Sequence, residues 1–529
     1  MNDSKLAHLK SHATSGVSRR DFMRTAVGAG VSVALAGGLW SEARAATAAK
    51  GGTLKAGADG GATTDTFNPI EMNGADHPTL SILSSFDTLT EIDDAGAPRP
   101  SLAESWESNP DGTWAFKLRK GVEFHDGKSL TADDVVWSLQ QHLNKDNRVA
   151  EAQQIVQNFE ELRAEGPDTV VIKQREVNFD LPSHLSSYAM IIGKQGNEDW
   201  ASGVGTGPYV KEDWQPGVQY LGRKFANFYR DDQGHFDEVE LLNITDPGSR
   251  MSGLLSGTLH AIGSPETKTA NRLAQAPGFE LVQVPATQHF TCDMRADMEP
   301  FTDPHLRQAV KWGINRQEIV DKVLNGFGTV GNDLPISRGQ QFYNDQLEQR
   351  EFDPDKARFH LKQAGLDSAD LTLATSDGAF GGAVDAAVLM QNSMANAGMN
   401  VQVDRRPADG YWSEVWLKVP WCMVYWNGRP TVDWMLSSTY TSDSAWNSSA
   451  FRNETFDNLL IAARSEADET KRRDLYFEAQ RIFWEESGTA VLAFANILIG
   501  QSDKLGHGPV GVTRRMDDSR LPRRWWFKS

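Results

Sequence analysis

The sequence predicts an α/β protein with two large lobes and a small α+β domain inserted in the first lobe. A chain of 529 residues is longer than one hydrophobic core usually supports, so two or three domains are expected. Helical and extended patterns alternate after residue 287, which indicates βαβ units and a partly parallel sheet. Short alternating strands and a helix between residues 86 and 203 indicate the separate α+β domain.

The first lobe is predicted from three separate stretches, residues 46–85, 204–286 and 500–529. It begins with an extended run at 52–58, which is followed by a helix at about 78–86. The glycine-rich run Gly203-Val-Gly-Thr-Gly-Pro-Tyr209 marks the return of the chain to this lobe. Further strands are predicted at 238–244 and 279–284, and the basic, aromatic end at 514–528 is expected to lie on the same lobe.

The inserted domain is predicted at residues 86–203. Polar and apolar residues alternate over 100–125 and are split by the turn Asn109-Pro-Asp-Gly112, a pattern typical of an antiparallel hairpin. Thr131 is expected to cap a helix whose first turn contains Asp133 and Asp134.

The second lobe is predicted at residues 287–499 and supplies most of the α/β alternation. Strands are expected at 371–375, 400–403 and 421–426, and helices at 305–325, 354–364, 384–397, 454–466 and 470–486.

The N-terminus resembles a twin-arginine export signal. Arg19 and Arg20 precede a mildly apolar stretch at 26–39 that ends in Ala43-Arg-Ala45, an A-x-A cleavage site. The apolar stretch is shorter than the roughly 20 residues that span a bilayer, which disfavours a membrane anchor. We therefore expect export of the folded protein by the twin-arginine translocase into the periplasm of a Gram-negative bacterium, after removal of residues 1–45.

The charge of the chain excludes one class of partner. Residues 1–45 contain six basic and three acidic residues, so their removal takes the formal charge from −18 to −21. Nucleic acids and anionic membranes require a basic surface, so neither is an expected partner.

Two cysteines, Cys292 and Cys422, lie in strand-like runs of the second lobe. The periplasm permits disulfides, and a bond between these residues would join the two runs. Two buried free thiols are the alternative, because a chain that folds before export does not depend on the bond.

Catalytic motifs are weak or missing in the sequence. Gly121 and Gly127-Lys128-Ser129 have the wrong spacing for a phosphate loop, and the GxGxxG run at 326–331 follows a predicted helix instead of a strand. No zinc-protease or nucleophile-elbow motif occurs, and no cofactor or metal is expected. A paired-carboxylate hydrolase stays open, because such carboxylates are distant in sequence.

Residues 411–447 carry the most unusual composition in the chain. Six of the sixteen tryptophans lie there, around the polar run Trp426-Asn427-Gly428-Arg429-Pro430-Thr431. Rigid aromatic faces with a few polar groups suit a binding pocket, although each tryptophan also has an ordinary packing interpretation.

Several stretches together resemble the periplasmic solute-binding proteins of peptide, nickel and opine ABC transporters, known as solute-binding family 5. They follow the family's order over residues 51–486, nearly the whole mature chain. The stretches are Pro100-Ser-Leu-Ala-Glu-Ser-Trp106, 112–135, Gly205-Thr-Gly-Pro-Tyr209, Phe301-Thr-Asp-Pro-His-Leu-Arg-Gln-Ala-Val310, Ile314-Asn-Arg316 and Phe352-Asp-Pro-Asp-Lys-Ala357.

The resemblance implies a two-lobe periplasmic binding protein of type II-like architecture, with an extra domain inserted in the first lobe. It further implies a solute enclosed between lobes that close about a hinge, followed by delivery to the permease subunits of an ABC importer. We expect a monomer without enzymatic activity. The alternatives are an ordinary di- or oligopeptide-binding protein on this scaffold and, from another class, a secreted hydrolase.

The resemblance also singles out Arg429. Peptide-binding members place an aspartate three residues after a tryptophan, where it pairs with the α-ammonium of the peptide. This chain has Trp426 and then Arg429, and a guanidinium suits a carboxylate instead. We therefore expect a small polar, carboxylate-bearing solute, opine-like or peptide-like; in the alternative, Arg429 faces solvent or pairs with Asp433. The predicted ligand-binding residues are Trp426, Asn427, Gly428, Arg429, Trp434, Trp446, Asn447, Tyr440, Phe290, His289, Met294, Phe67 and Asn68.

Overall fold

The computed structural model describes residues 48–94 and 96–528. The predicted signal peptide, with Arg19 and Arg20, lies outside the described residues. The strands are β1 Ala48–Ala49, β2 Thr53–Ala58, β3 Thr90–Ile92, β4 Pro98–Pro100, β5 Ala103–Ser108, β6 Thr113–Leu118, β7 Phe159–Ala164, β8 Thr169–Gln174, β9 Tyr209–Gln215, β10 Gln219–Lys224, β11 Glu238–Asn243, β12 Ala261–Gly263, β13 Phe279–Val284, β14 His289–Met294, β15 Gly328–Val330, β16 Ala369–Thr375, β17 Met399–Arg405, β18 Trp421–Trp426, β19 Thr489–Ala495, β20 Ile497–Ser502, β21 Leu505–Gly506 and β22 Trp526–Lys528.

Besides a 3-10 turn at Trp200–Ser202 and a left-handed turn at Arg515–Ser519, the described chain forms right-handed α-helices. They are α1 Asp76–Ser85, α2 Ala132–Gln141, α3 Ala150–Gln157, α4 Leu181–His184, α5 Pro247–Leu255, α6 Thr267–Gln275, α7 Pro304–Gly313, α8 Arg316–Lys322, α9 Pro354–Gln363, α10 Ala383–Ala395, α11 Tyr411–Glu414, α12 Val432–Thr439, α13 Glu454–Arg464, α14 Glu469–Glu486 and α15 Leu521–Arg524. Among the residues described, none of these helices is long and apolar enough to span a bilayer.

The first lobe is built on a seven-stranded sheet with the order β13-β20-β12-β2-β11-β10-β9. Strand β2 pairs in parallel with β11 and β12, and the other pairs are antiparallel. Strand β20 begins at Ile497, so this sheet includes three residues, 497–499, that were predicted to belong to the second lobe.

The second lobe is a six-stranded sheet, β15-β19-β14-β18-β16-β17, with helices packed around it. Strands β16 and β17 pair in parallel, which confirms the expected βαβ unit around α10. The helix predicted at 305–325 is instead two helices, α7 and α8, because the Asn315 side chain accepts the backbone N–H of Glu318 and starts a new helix.

Two short connections join the lobes. The chain leaves the first lobe between β13 and β14, through residues 285–288, and returns between β19 and β20 through Asn496. Such element-terminal residues are where a hinge between lobes absorbs its backbone rotation.

A four-stranded antiparallel sheet, β5-β6-β8-β7, forms with α2, α3 and α4 what we call the four-stranded unit. Asp134 on α2 accepts the backbone N–H of Thr131 at 2.8 Å, which places the start of this helix where the sequence predicted it. The unit does not have a core of its own: Phe116 in β6 and Leu54 in β2 belong to one continuous apolar cluster. The four-stranded unit and the first lobe are therefore held together by shared packing.

The two cysteines are free and buried, so the disulfide alternative is wrong. Cys292 in β14 lies opposite Met423, and Cys422 in β18 lies opposite Asp293. Directly opposed residues point to the same face of a sheet and successive residues to opposite faces, so the two thiols lie on opposite faces. Burial raises the pKa of both thiols, which keeps them protonated.

Candidate functional site

A cavity of about 650 Å³ lies between the four-stranded unit and the second lobe. One wall comes from the second lobe and consists of the loop after β18, helix α12 and the turn that follows it. The other wall comes from α3, the ends of β7 and β8, and α4. The lining residues are Glu151, Gln154, Ile155, Asn158, Gln174, Glu176, Asn178, Leu181, His184, Arg429, Asp433, Trp434, Ser437, Ser438, Thr441, Asp443, Ser444, Ala445, Trp446 and Arg464.

The second-lobe wall is fixed by its backbone. A Cβ on Gly428 would lie 1.9 Å from Oγ1 of Thr287, so this close approach of two strand ends requires glycine. The Thr431 hydroxyl then accepts the backbone N–H of Trp434 at 3.2 Å and caps α12. Together these two contacts set the position of Arg429, which lies between them.

Arg429 lines the cavity as a cation without a carboxylate partner among the residues described. Its Nη1 donates to the backbone carbonyls of Asn427 at 3.0 Å and Gly428 at 3.5 Å. Its Nε is buried and has no hydrogen-bond partner within the described chain. A guanidinium with unused donors in a cavity can form charge-assisted hydrogen bonds to an anionic ligand.

Asp433 is not the partner of Arg429. Its carboxylate lies 3.2 Å from Nε of Arg464 and accepts the Ser437 hydroxyl at 2.9 Å. Nδ2 of Asn178, from the four-stranded unit, donates to the same carboxylate at 3.3 Å. Burial raises the pKa of Asp433, and the guanidinium of Arg464 opposes that shift.

Two further contacts cross from the four-stranded unit to the second lobe. The ring of His184 packs edge-on against Trp434, with centroids 4.6 Å apart. The backbone N–H of Phe179 donates to the carbonyl of Arg464 at 2.9 Å. Burial lowers the pKa of His184 to about 4, so this imidazole is neutral at pH 7. The four-stranded unit therefore touches the second lobe directly at the cavity.

Three of the predicted site residues line the cavity: Arg429, Trp434 and Trp446. Trp446 is 41% exposed and presents an indole to the open space. Trp426 lies behind it, 7% exposed, with ring centroids 6.4 Å apart. Gly428 supports the loop, and the side chain of Asn427 accepts a hydrogen bond from Gln288 at 3.1 Å.

The other predicted residues do not line this cavity. Phe67 packs against Trp214 in the first-lobe core, Asn68 closes a turn, and Met294 and Tyr440 are fully buried in the second-lobe core. Phe290 stacks on Phe380 at 4.1 Å, and Nδ2 of Asn447 donates to the carbonyls of Thr441 and Phe451. His289 is buried behind the loop, where burial lowers its pKa to about 4. The sequence gives the type of each of these side chains, but it does not show which of them face the core and which face the cavity.

The residues from the four-stranded unit were missed. Glu151, Gln154 and Asn158 lie at helical spacing on and just after α3, so their shared polar face was readable. A solvent-exposed helix has the same pattern, which is why it did not indicate a cavity wall.

Comparisons with known proteins agree with this architecture. A family model described as bacterial extracellular solute-binding proteins, family 5 Middle, matches residues 97–448. The chain belongs to this family. Members of family 5 are solute-binding components of ABC importers, which decides against the hydrolase alternative.

Among curated relatives, the glutathione-binding protein GsiB of Escherichia coli (strain K12) is 26% identical over 466 residues, covering 84% of this chain and 90% of GsiB. Helicobacter pylori DppA, solved with the peptide STSA, has a TM-score of 0.74 at 20% identity, over 91% of this chain and 99% of DppA. AgaA from A. tumefaciens R10, solved with agropinic acid, has a TM-score of 0.73 at 21% identity, over 90% of this chain and 99% of AgaA. These likenesses confirm the two-lobe fold of a family 5 protein.

Proposed function

We propose that this protein captures a small carboxylate-bearing solute, opine-like or peptide-like, in the cavity between the four-stranded unit and the second lobe. Lobe closure around the solute would then present the protein to the permease of an ABC importer. The observation that carries the proposal is Arg429, a cavity-lining cation that pairs with no carboxylate in the described part of the chain. Export through the twin-arginine pathway to the periplasm stays a prediction from the sequence.

The chemistry of the relatives' ligands supports the carboxylate. Glutathione, agropinic acid and a tetrapeptide, named for GsiB, AgaA and DppA, are small molecules that each carry at least one carboxylate. In this chain Arg429 stands where peptide-binding members are expected to have an aspartate. The proposal therefore gives the carboxylate end of the solute, not its ammonium end, to this position.

Calorimetry on the mature protein tests the role of Arg429. The probes are the opine N-(1-carboxyethyl)norvaline and the dipeptide alanyl-norvaline, the latter as free acid and as C-terminal amide. Replacing Arg429 by Gln should weaken binding of the carboxylate probes by about tenfold or more, since a hydrogen bond to a charged group contributes about 1.5–3 kcal/mol. Arg429→Asp should weaken it further, because it adds repulsion.

Arg405 offers the matched control. Its side chain is 66% exposed on the same lobe and pairs with Asp377 away from the cavity, so Arg405→Gln should leave affinity unchanged. Full affinity in Arg429→Asp, or equal binding of the dipeptide and its amide, would contradict the proposal.

A further inference from the structure

The cavity carries more negative than positive charge. Its carboxylates are Glu151, Glu176, Asp433 and Asp443, and its cations are Arg429 and Arg464. Asp433 and Arg464 neutralise each other. Once Arg429 has taken a carboxylate of the solute, three acidic side chains remain with no ion-pair partner among the residues described. A purely anionic solute would meet repulsion from all three.

Glu151 is the best placed of these acids. It lies half-buried in the first turn of α3, on the wall that faces the second lobe. The hydroxyl of Ser187 donates to its Oε1 at 2.9 Å, which fixes the carboxylate and leaves Oε2 without a partner in the described chain. Its charge reaches the imidazole of His184 and the phenol of Tyr188. Arg429 also acts on Tyr188, so the two unpaired charges lie on opposite walls near the same side chain.

The remaining lining suits a cation as well. Trp434 and Trp446 contribute indole rings, whose faces attract ammonium and guanidinium groups. The Nε2 atom of His184 is buried at this wall and has no hydrogen-bond partner within the described residues. Because burial keeps this imidazole neutral, it adds no positive charge that would oppose a cation.

We infer that the four-stranded unit recognises a cationic group of the solute through Glu151, while Arg429 holds its carboxylate. This rests on the proposed function and narrows it to one substrate class: carboxylated solutes that also carry an ammonium or guanidinium side chain. Such a molecule bridges the four-stranded unit and the second lobe, so it stabilises the closed arrangement by contacting both walls.

Two matched probe series test the inference. The first is the N-(1-carboxyethyl) derivatives of arginine, norvaline and glutamate, and the second is the corresponding alanyl dipeptides. Within each series the carboxylate end is constant and the side-chain charge runs from +1 through 0 to −1. The wild-type protein should bind the arginine probe about tenfold more tightly than the norvaline probe, and the glutamate probe least tightly.

Glu151→Gln should lower the affinity for the arginine probe about tenfold and so remove its preference over norvaline, since the charge is lost while the amide oxygen can still accept from Ser187. Glu104→Gln is the matched control, because Glu104 is an exposed residue of β5 on the same unit and outside the cavity. Asp443→Asn, at the exposed rim, should reduce the preference by a smaller factor. If Glu151→Gln folds poorly, Asp443→Asn and the order of probe affinities in the wild-type protein still test the cation site.

The outcomes separate this inference from the proposed function. Arg429→Gln could lose affinity for every probe while wild type shows no effect of side-chain charge. That result would support the carboxylate site and overturn the cation site. Retention of the arginine preference in Glu151→Gln also overturns it. Failure of all six probes to bind wild type at about 1 mM would overturn the proposed function and this inference with it.

Discussion

The two walls of the cavity are held in place by different means. The second-lobe wall is set by its backbone, through the contact of Gly428 with Thr287 and the cap of α12 by Thr431. The wall from the four-stranded unit is joined to the second lobe by a few polar and ring contacts, chiefly Asn178 with Asp433 and His184 with Trp434. The first wall is therefore preorganised, whereas the second can separate when the lobes open.

This difference assigns separate tasks to the walls. For the proposed carboxylate-bearing solute, a preorganised Arg429 would reduce the ordering cost of binding. The contacts across the cavity can form only when the four-stranded unit and the second lobe come together, so they report closure. Substitutions in the first wall should change stability and affinity together, and substitutions at the contacts should change closure more than the fold.

The largest effect is expected from Gly428→Ala. The new methyl group would lie 1.9 Å from Oγ1 and 2.2 Å from Cβ of buried Thr287, so the strand ends must separate. Overpacking of this kind costs about 3 kcal/mol and would displace Arg429, which follows directly. Urea unfolding should show the loss of stability, and calorimetry a loss of affinity for carboxylate probes.

Gly339→Ala is the matched control for that substitution. A Cβ at Gly339 meets no atom within 4 Å, so stability should stay within about 0.5 kcal/mol of wild type. Equal stability and affinity of the two alanine variants would show that the contact with Thr287 does not fix the wall.

The difference between the two walls also explains which site residues could be predicted from the sequence. Arg429, Trp434 and Trp446 come from one short stretch with an unusual composition, so a local pattern indicated them. The alternation of helical and extended patterns predicted the α/β class, and the family resemblance predicted two lobes that enclose a solute. Domain limits were less exact, because the hydrophobic pattern does not show that β20 starts before residue 500.

The wall from the four-stranded unit depends on long-range packing. Glu151 and Asn178 reach the cavity only because β5–β8 share a core with the first lobe, which turns α3 and α4 toward the second lobe. Phe67 and Met294 do not line the cavity, and the sequence did not indicate this, because a large apolar side chain at a strand end or in a loop equally fits a core. No local sequence pattern distinguishes a side chain in the core from one in the cavity wall.

A smaller effect is expected from Asp433→Asn, which tests whether the cross-cavity contacts hold the closed form. The substitution keeps the shape of the side chain but replaces the carboxylate that pairs with Arg464 and accepts a hydrogen bond from Asn178 by an uncharged amide. The loss should be about 1–2 kcal/mol in urea unfolding, because Ser437 still accepts from Nη2 of Arg464 at 2.7 Å. Small-angle scattering of the unliganded protein should show a larger radius of gyration.

The exposed pair of Asp377 with Arg405 provides the comparison. Both side chains are more than half exposed, so Asp377→Asn should have almost no effect on stability or on scattering. If Asp433→Asn behaved like Asp377→Asn, the contact would not contribute to closure.

The smallest effect is a pH dependence of closure carried by His184. Its pKa is lowered to about 4 by burial against the second lobe, and it should return to about 6.5 when the four-stranded unit moves away. Between these values the open form binds a proton that the closed form excludes, so acidification favours opening. The negative charges of Asp433 and Glu151 face this imidazole and oppose the lowering of its pKa, whereas the positive charge of Arg464 reinforces it. The pKa of Asp433 is itself raised in the closed form, so protonation of Asp433 favours closure in acid.

Comparison with His184→Gln isolates the histidine contribution. Wild-type affinity for a carboxylate probe should fall by about fourfold from pH 7.5 to 6, as expected for a group with pKa values of about 4 and 6.5 in the two forms. In His184→Gln the fall in affinity should disappear. A rise in affinity with acid in this variant would come from Asp433, whose raised pKa favours closure. Buried His142 and His289, whose pKa values are also lowered to about 4, weaken the fold over the same range, because the unfolded chain takes up protons below a pKa of about 6.5. Both proteins contain these two histidines, so the comparison cancels their contribution. Equal pH profiles for both proteins would mean that His184 stays buried in the open form, and that the four-stranded unit does not move away from the second lobe.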